Sequence, residues 1–194
     1  MLVSPLFRPK RLLAVAAFFL QRATDKKLND LSLMKLIYLS ERRSLQCYGV
    51  PVVGDRYVSM RFGPVLESGY QSLLGRNEDE VARYISFRPH RPGQESNHFC
   101  LIEAFDPAEV LSESALGLLH EVWEEFGELA QQRDGKWALV DLTHTFPEWD
   151  KRAKIRNTKV PLPLETVFTL GFGEDPEVAR VKADEIEDLM AYRA

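Results

Sequence analysis

Two stretches decide how this chain folds: Leu33-Met34-Lys35-Leu36-Ile37-Tyr38, and Gly54-Asp55-Arg56-Tyr57-Val58-Ser59-Met60-Arg61-Phe62-Gly63-Pro64-Val65. The first lies in a helical pattern. Leu31, Met34, Tyr38 and Leu45 recur at helical spacing, and Asp30 can cap the start by accepting an early backbone N–H. Gly49 and Pro51 end that helix. In the second stretch the period changes. Gly54-Asp55 reads as a turn and residues 57–62 as a short, half-alternating strand. A turn at Gly63-Pro64 follows, and proline fits the first turn of a helix, where its missing N–H would be unpaired anyway. Pro64 is therefore expected to open a helix reaching about Leu74.

Working outward, residues 11–24 form a helix with a wide apolar face carried by Leu12, Val15, Ala16, Phe19 and Leu20. Arg8, Lys10 and Arg11 before that run mimic a signal peptide. No small-x-small cleavage site follows, however, and the run is far shorter than the roughly 20 residues a bilayer requires. A buried first helix and a cytoplasmic protein are expected. On the other side, residues 83–87 and 98–102 read as a hairpin around Pro89, Pro92 and Gly93. Ser112 caps a strongly periodic helix that ends near Gly127, and residues 137–145 form another. Residues 151–163 read as a basic run followed by linker, and residues 176–192 as a charged terminal helix. The expected class is α+β and predominantly helical: a compact helical domain with a small antiparallel β element.

The 194 residues, 45% hydrophobic and 28% charged, suit a globular domain with one sizeable core. Residues 1–92 carry 15 Lys/Arg against 8 Asp/Glu, and residues 93–194 carry 10 against 21. A basic half can signal nucleic acid, but these cations are interleaved with apolar positions, and the acidic half can neutralise them within the fold. Nucleic acid is not expected as a partner. Two cysteines, Cys47 and Cys100, are too few for a disulfide framework.

Chemistry-bearing patterns are sparse. The four histidines offer no metal-ligand spacing; His98 and Cys100 could share a strand face but lack further ligands. No G-x-S-x-G occurs, and Gly171-x-Gly173 stands without a phosphate-binding lysine. Asp141, His144 and Glu148 could be written as an acid–base cluster. The structural alternative gives His144 a buried hydrogen bond before Pro147 and uses Trp149 to plug the core. No metal, cofactor or catalytic residue is expected.

The same residues spell a family pattern. The Leu33 to Tyr38 block, Tyr48-Gly49 with Pro51, the Gly54 to Val65 block and Tyr70 resemble the Panacea domain, also called the SocA-like antitoxin domain. The resemblance extends over Ala14 to Leu20, Leu111-Ser112 through Phe126-Gly127, and Leu142-Thr143-His144-Thr145 with Pro147 and Trp149. Ser59 stands where relatives often carry alanine. The resemblance implies a non-enzymatic antitoxin in residues 1–155, with residues 156–194 as a C-terminal extension bearing an acidic helix. Its partner would be a cognate protein toxin, neutralised by direct binding. An alternative is an adaptor that delivers the toxin to an energy-dependent AAA+ protease. Some relatives place a helix-turn-helix ahead of the domain, and the few residues before the first helix here leave no room for one. Lys35, Tyr38, Asp55, Gly63, Pro64, His144 and Trp149 are expected to build the scaffold. Arg56, Tyr57, Arg61 and Phe62 are the candidate toxin contacts, because Arg and aromatic residues dominate binding hot spots.

Overall fold

The computed structural model describes residues 7–90 and 96–192. Its centre is helix α1 (Pro9–Arg22), opened by a proline in its first turn. Leu12 through Leu20 are all at most 1% exposed. A helix apolar on every side has to be surrounded, and α1 is packed against helices and strands drawn from the whole first two-thirds of the chain. The apolar run that mimics an export signal is thus the core helix.

Strand β1 (Lys27–Asn29) leads into α2 (Asp30–Tyr48). The α2 cap lies one residue before the expected Asp30: the Asn29 side chain accepts from the Leu31 N–H at 3.0 Å, and Asp30 adds a second acceptor at 2.9 Å. Gly49, at φ +68°, closes the helix by donating to the Leu45 carbonyl, as left-handed caps do.

The region after Gly54 departs from expectation in one respect. Strand β2 (Tyr57–Met60) turns at Arg61 and Phe62 into strand β3 (Gly63–Leu66), and α3 (Glu67–Leu73) begins only afterwards. Pro64 therefore sits in a strand, opposite Ser59, and does not open a helix. The ladder wins because Val65 and Leu66 are buried and because the Glu67 N–H extends it by donating to the Arg56 carbonyl at 2.8 Å.

After α4 (Val81–Tyr84), strands β4 (Ile85–Arg88) and β5 (His98–Leu101) form the expected hairpin, with Phe87 opposite Phe99. Pro92 and Gly93 of its loop lie outside the described residues. Strand β1 completes this antiparallel sheet on the other side of β5, with Leu28 opposite Phe99. Helix α5 (Glu113–Gln131) is capped by Ser112 as expected, but it runs past Gly127. That glycine is a packing site: a Cβ there would lie 2.5 Å from the Trp123 ring. Helix α6 (Gly135–His144) follows.

The expected linker is also structured. Helix α7 (Arg152–Arg156) precedes strand β6 (Val160–Leu162), which pairs with β2 to complete a second antiparallel sheet in the order β3-β2-β6. Both prolines within this sheet, Pro64 and Pro161, fall on its edge strands, where a missing N–H can face outward. Helix α8 (Leu164–Thr166), a wider turn over Val167–Gly171, and α9 (Pro176–Tyr192) end the described chain. Leu164, Phe168, Ala179, Ala183 and Ile186 join the same hydrophobic core as α1.

Candidate functional site

Residues of the signature mostly lie beneath the surface, in polar pairs that hold the β2–β3 hairpin onto α2. Glu41, 1% exposed, accepts the N–H groups of Val53 at 2.6 Å and Gly54 at 3.3 Å and the Tyr57 hydroxyl at 2.8 Å. Burial pushes its pKa up, and these hydrogen bonds pull the other way. Asp55 accepts from the Arg56 N–H at 2.7 Å and the Gly69 N–H at 2.8 Å, tying the start of β2 to α3. Burial raises its pKa to about 6 despite those donors. Tyr38 donates to Glu148 at 3.2 Å, and Arg42 donates to the same carboxylate at 2.8 Å and to the Gly171 carbonyl at 3.0 Å. Pairing of this kind is what makes buried polar groups tolerable.

A second set grips the hairpin from the end of α6 and the segment after it. The Trp149 indole donates to the Met60 carbonyl at 3.2 Å, the Asp150 N–H donates to Ser59 Oγ at 3.1 Å, and the His144 ring stacks on Trp149 at 3.7 Å between centroids. The imidazole is held below its ordinary pKa by burial first, then by Lys154 and Lys35. Ser59, the departure from the family pattern, is thus a fixed hydrogen-bonding partner.

Lys35 stands apart. It is fully buried, its Nζ donates to the Pro64 carbonyl at 3.0 Å, and among the described residues no carboxylate pairs with it. Burial alone lowers its pKa to about 7. The approach is close because residue 63 is glycine. At φ +101° a Cβ on that residue would lie 2.7 Å from Lys35 Nζ and 2.6 Å from Thr143 Oγ1. Gly63 thus meets two requirements at once, a left-handed backbone and room for the ammonium.

Above this floor lies a groove of about 240 Å³. Leu31, Met34 and Lys35 of α2 form one wall, Met60 through Gly63 and Val65 the other, with Asp30, Tyr70 and Asn157 at the ends. Arg61 and Phe62 occupy the hairpin tip, both exposed. Phe62, 38% exposed, meets the 44% exposed Trp137 of α6 edge-on at 5.6 Å. Arg61 lies over the Phe62 ring at 5.3 Å, and Lys136 over Trp137 at 5.7 Å.

The four candidate contacts are therefore not gathered in one place. Arg61 and Phe62 rim the groove. Tyr57 is in the core, 3% exposed, with its hydroxyl on Glu41. Arg56 lines a different cleft, of about 410 Å³, between the start of β2 and Lys159, Pro163 and Glu187. Leu31, Met34 and Tyr70 join the groove unannounced, and Trp137 stands beside it against Phe62. Trp137 and Tyr70 gave a signal in being large aromatic residues on helices, but only the fold shows which face they take.

The remaining chemical patterns disperse. The Glu148 carboxylate is taken by Tyr38 and Arg42, whereas His144 is stacked on Trp149. Cys47 is exposed, Cys100 half-buried, and neither is in a disulfide. Among the described residues no group of three or more His, Cys, Asp or Glu side chains could hold a metal, and no helix is long and apolar enough to cross a membrane.

A family model described as "Antitoxin SocA-like, Panacea domain" matches residues 33–150, which cover most of α2, the groove lining except Asp30, Leu31 and Asn157, and α6 with the segment after it that grips the hairpin. No curated protein and no solved structure matches the chain. On a match covering more than half its length, the chain belongs to the SocA-like antitoxin family that carries the Panacea domain.

Proposed function

We propose that the protein neutralises a cognate protein toxin by direct, non-enzymatic contact in the cytoplasm, and that the groove rimmed by Arg61 and Phe62, together with Trp137 beside it, is where the toxin docks. One observation carries the placement. Phe62 and Arg61 at the hairpin tip and Trp137 on the neighbouring α6 stand exposed together, and the hairpin is anchored from below. Exposed apolar clusters mark interaction sites, and rigid aromatic and arginine anchors dominate hot spots. Tyr57 supports this surface from beneath, Arg56 would contact the toxin only over a wider footprint, and residues 1–155 form the antitoxin domain.

Co-expression with the toxin encoded in the same locus tests this reading. Phe62→Ala with Trp137→Ala should leave the thermal unfolding temperature nearly unchanged and weaken toxin binding by about 10- to 100-fold, the effect of losing hot-spot residues. Unchanged affinity in the folded double variant sinks the placement, and no growth rescue by the wild type sinks the antitoxin reading.

A second reading, an adaptor that hands the toxin to an AAA+ protease, draws on the extension of residues 156–194. On α9, Val178, Val181 and Leu189 are 48%, 44% and 38% exposed among acidic residues, while Ala179, Ala183 and Ile186 face the core. Deleting the helix would strip the core, so point changes are the cleaner probe. Val178→Ser, Val181→Ser and Leu189→Ser together should preserve toxin binding and slow toxin turnover if α9 recruits a protease. Unaltered turnover removes the adaptor role from this face.

A further inference from the structure

The surface beside the groove carries a charge pattern that the fold does not use. The second half of the chain is acidic, with 10 Lys/Arg against 21 Asp/Glu in residues 93–194, yet six of those ten cations fall between Lys136 and Lys159. Residues 151–159 hold Lys151, Arg152, Lys154, Arg156 and Lys159 and no acidic residue. Two of these are compensated within the chain, Arg152 by Asp150 and Lys159 by Glu67. Lys151, Lys154 and Arg156 are exposed and enter no ion pair among the described residues, and neither do Arg61 at the hairpin tip and Lys136 beside Trp137. Between two of these cations Ile155 is 81% exposed, whereas Ala153 is buried, so α7 packs by its alanine and presents its isoleucine outward. The helix is fixed against the hairpin at both ends. Asp150 donates its N–H to Ser59 Oγ of β2 and accepts the Arg152 N–H at 2.8 Å. Asn157, at φ +48°, closes α7 by donating to the Ala153 carbonyl and lines the groove with Arg61 and Phe62.

We propose that the docking surface continues from the hairpin tip onto α7, and that the toxin face it receives is acidic and carries an apolar hollow for Ile155. The identity of the partner rests on the antitoxin reading. Charge complementarity selects the chemistry of that face: a cluster of exposed cations with no ion partners in its own chain attracts and orients a surface of opposite sign. Water screens exposed charges, so their contribution falls mainly on the rate and specificity of encounter. Ile155 contributes in the other way, because an apolar side chain that is exposed in the free protein gains its energy once a partner excludes water from it. Nucleic acid fits less well. Phe62 and Trp137 pack on each other and each lies under a cation, which leaves little open ring face for stacked bases, and Asp141 stands exposed one turn after Trp137 on α6.

Association and dissociation rates of the full chain with the toxin encoded in the same locus, measured at low and at high salt, are the test. Lys154→Glu with Arg156→Glu should slow association about tenfold at low salt, and the difference from the wild type should fade at high salt. Lys10→Glu with Lys26→Glu makes the same change of net charge at exposed positions on α1 and before β1, and should alter the rate far less. Ile155→Ser should speed dissociation about tenfold and keep the salt dependence of the wild type. All five positions are exposed, so the thermal unfolding temperature should stay close to that of the wild type in every variant.

Association that ignores salt, equal slowing by the two pairs of substitutions, or unaltered dissociation in Ile155→Ser overturns the inference. So does tighter capture of a single-stranded oligonucleotide, or of phosphatidylserine vesicles, than of the toxin through Lys154 and Arg156. Growth rescue separates the two readings. A wild type that neither binds the toxin nor rescues growth refutes the antitoxin reading, and with it the partner named here. A wild type that binds and rescues, with α7 variants that bind as fast and as long, refutes the α7 surface and keeps the antitoxin.

Discussion

Lys35 shows what a buried cation costs the fold. Its folded-state pKa of about 7 lies below the ordinary 10.5. Between those values the unfolded chain binds a proton that the folded chain does not, so stability rises with pH across that window, and below pH 7 the burial cost is fully present. Lys35→Met keeps the length of the side chain and removes the charge. It should therefore unfold at a higher temperature than the wild type at pH 6. The advantage should shrink by up to about 1.4 kcal/mol per pH unit between pH 7 and pH 10. Parallel stability curves for the two proteins from pH 6 to pH 10 would contradict the assignment of a depressed pKa.

At the scale of elements, the β2–β3 hairpin is the unit whose details carry most meaning. Gly63 and Pro64 are adjacent and equally conspicuous, yet they contribute differently. Gly63→Ala has to hold a Cβ at φ +101° and within 2.7 Å of Lys35 and Thr143. A loss of roughly 3 kcal/mol or more is expected from backbone strain and overpacking combined. Pro64→Ala, on an edge strand and with its carbonyl still available to Lys35, should cost less than about 1 kcal/mol. Chemical denaturation of both variants measures the contrast, and similar losses would mean that the proline, too, is held by tight contacts. The sequence marks this span as a strand, a turn and a helix, but it misplaces the turn by two residues. Proline's φ suits both a first helical turn and an edge strand, so local preference could not separate them, whereas pairing of β3 with β2 could. Gly127 teaches the same lesson within a helix: a residue that ordinarily stops helices is there to admit the Trp123 ring.

Across the whole molecule, the basic first half and acidic second half meet. Arg42 pairs with Glu148 and Arg43 with Glu125, and in the opposite sense Lys159 pairs with Glu67. Only the first of these is deeply buried, with the Glu148 side chain at 0% exposure, and it binds α2 both to the segment after α6 and to Gly171 beyond β6. Arg42→Met should leave a buried carboxylate with Tyr38 alone and strip the cation from above the Phe146 ring. The expected destabilisation is about 3–5 kcal/mol, against less than about 1 kcal/mol for Arg43→Met at the half-exposed pair. Equal losses would argue that the buried Arg42–Glu148 pair contributes no more than the half-exposed one.

The class of fold, the core helix α1, the lengths of α2, α5, α6 and α9 to within a few residues, and the family were legible in the sequence. Those follow from apolar periodicity, caps and a short motif, all of which are local in the chain. Three things were decided only by tertiary structure. Residues 160–162 became a strand because β2 offered an unpaired edge, not because of their own composition. Tyr57 went to the core and Arg61 and Phe62 to the surface because β2 ends at Met60, which sends the next two side chains into a turn. The groove exists because α2, the hairpin, Tyr70 and Asn157 come from four separated parts of the chain. A groove is a property of the space between elements, and no local pattern encodes that space.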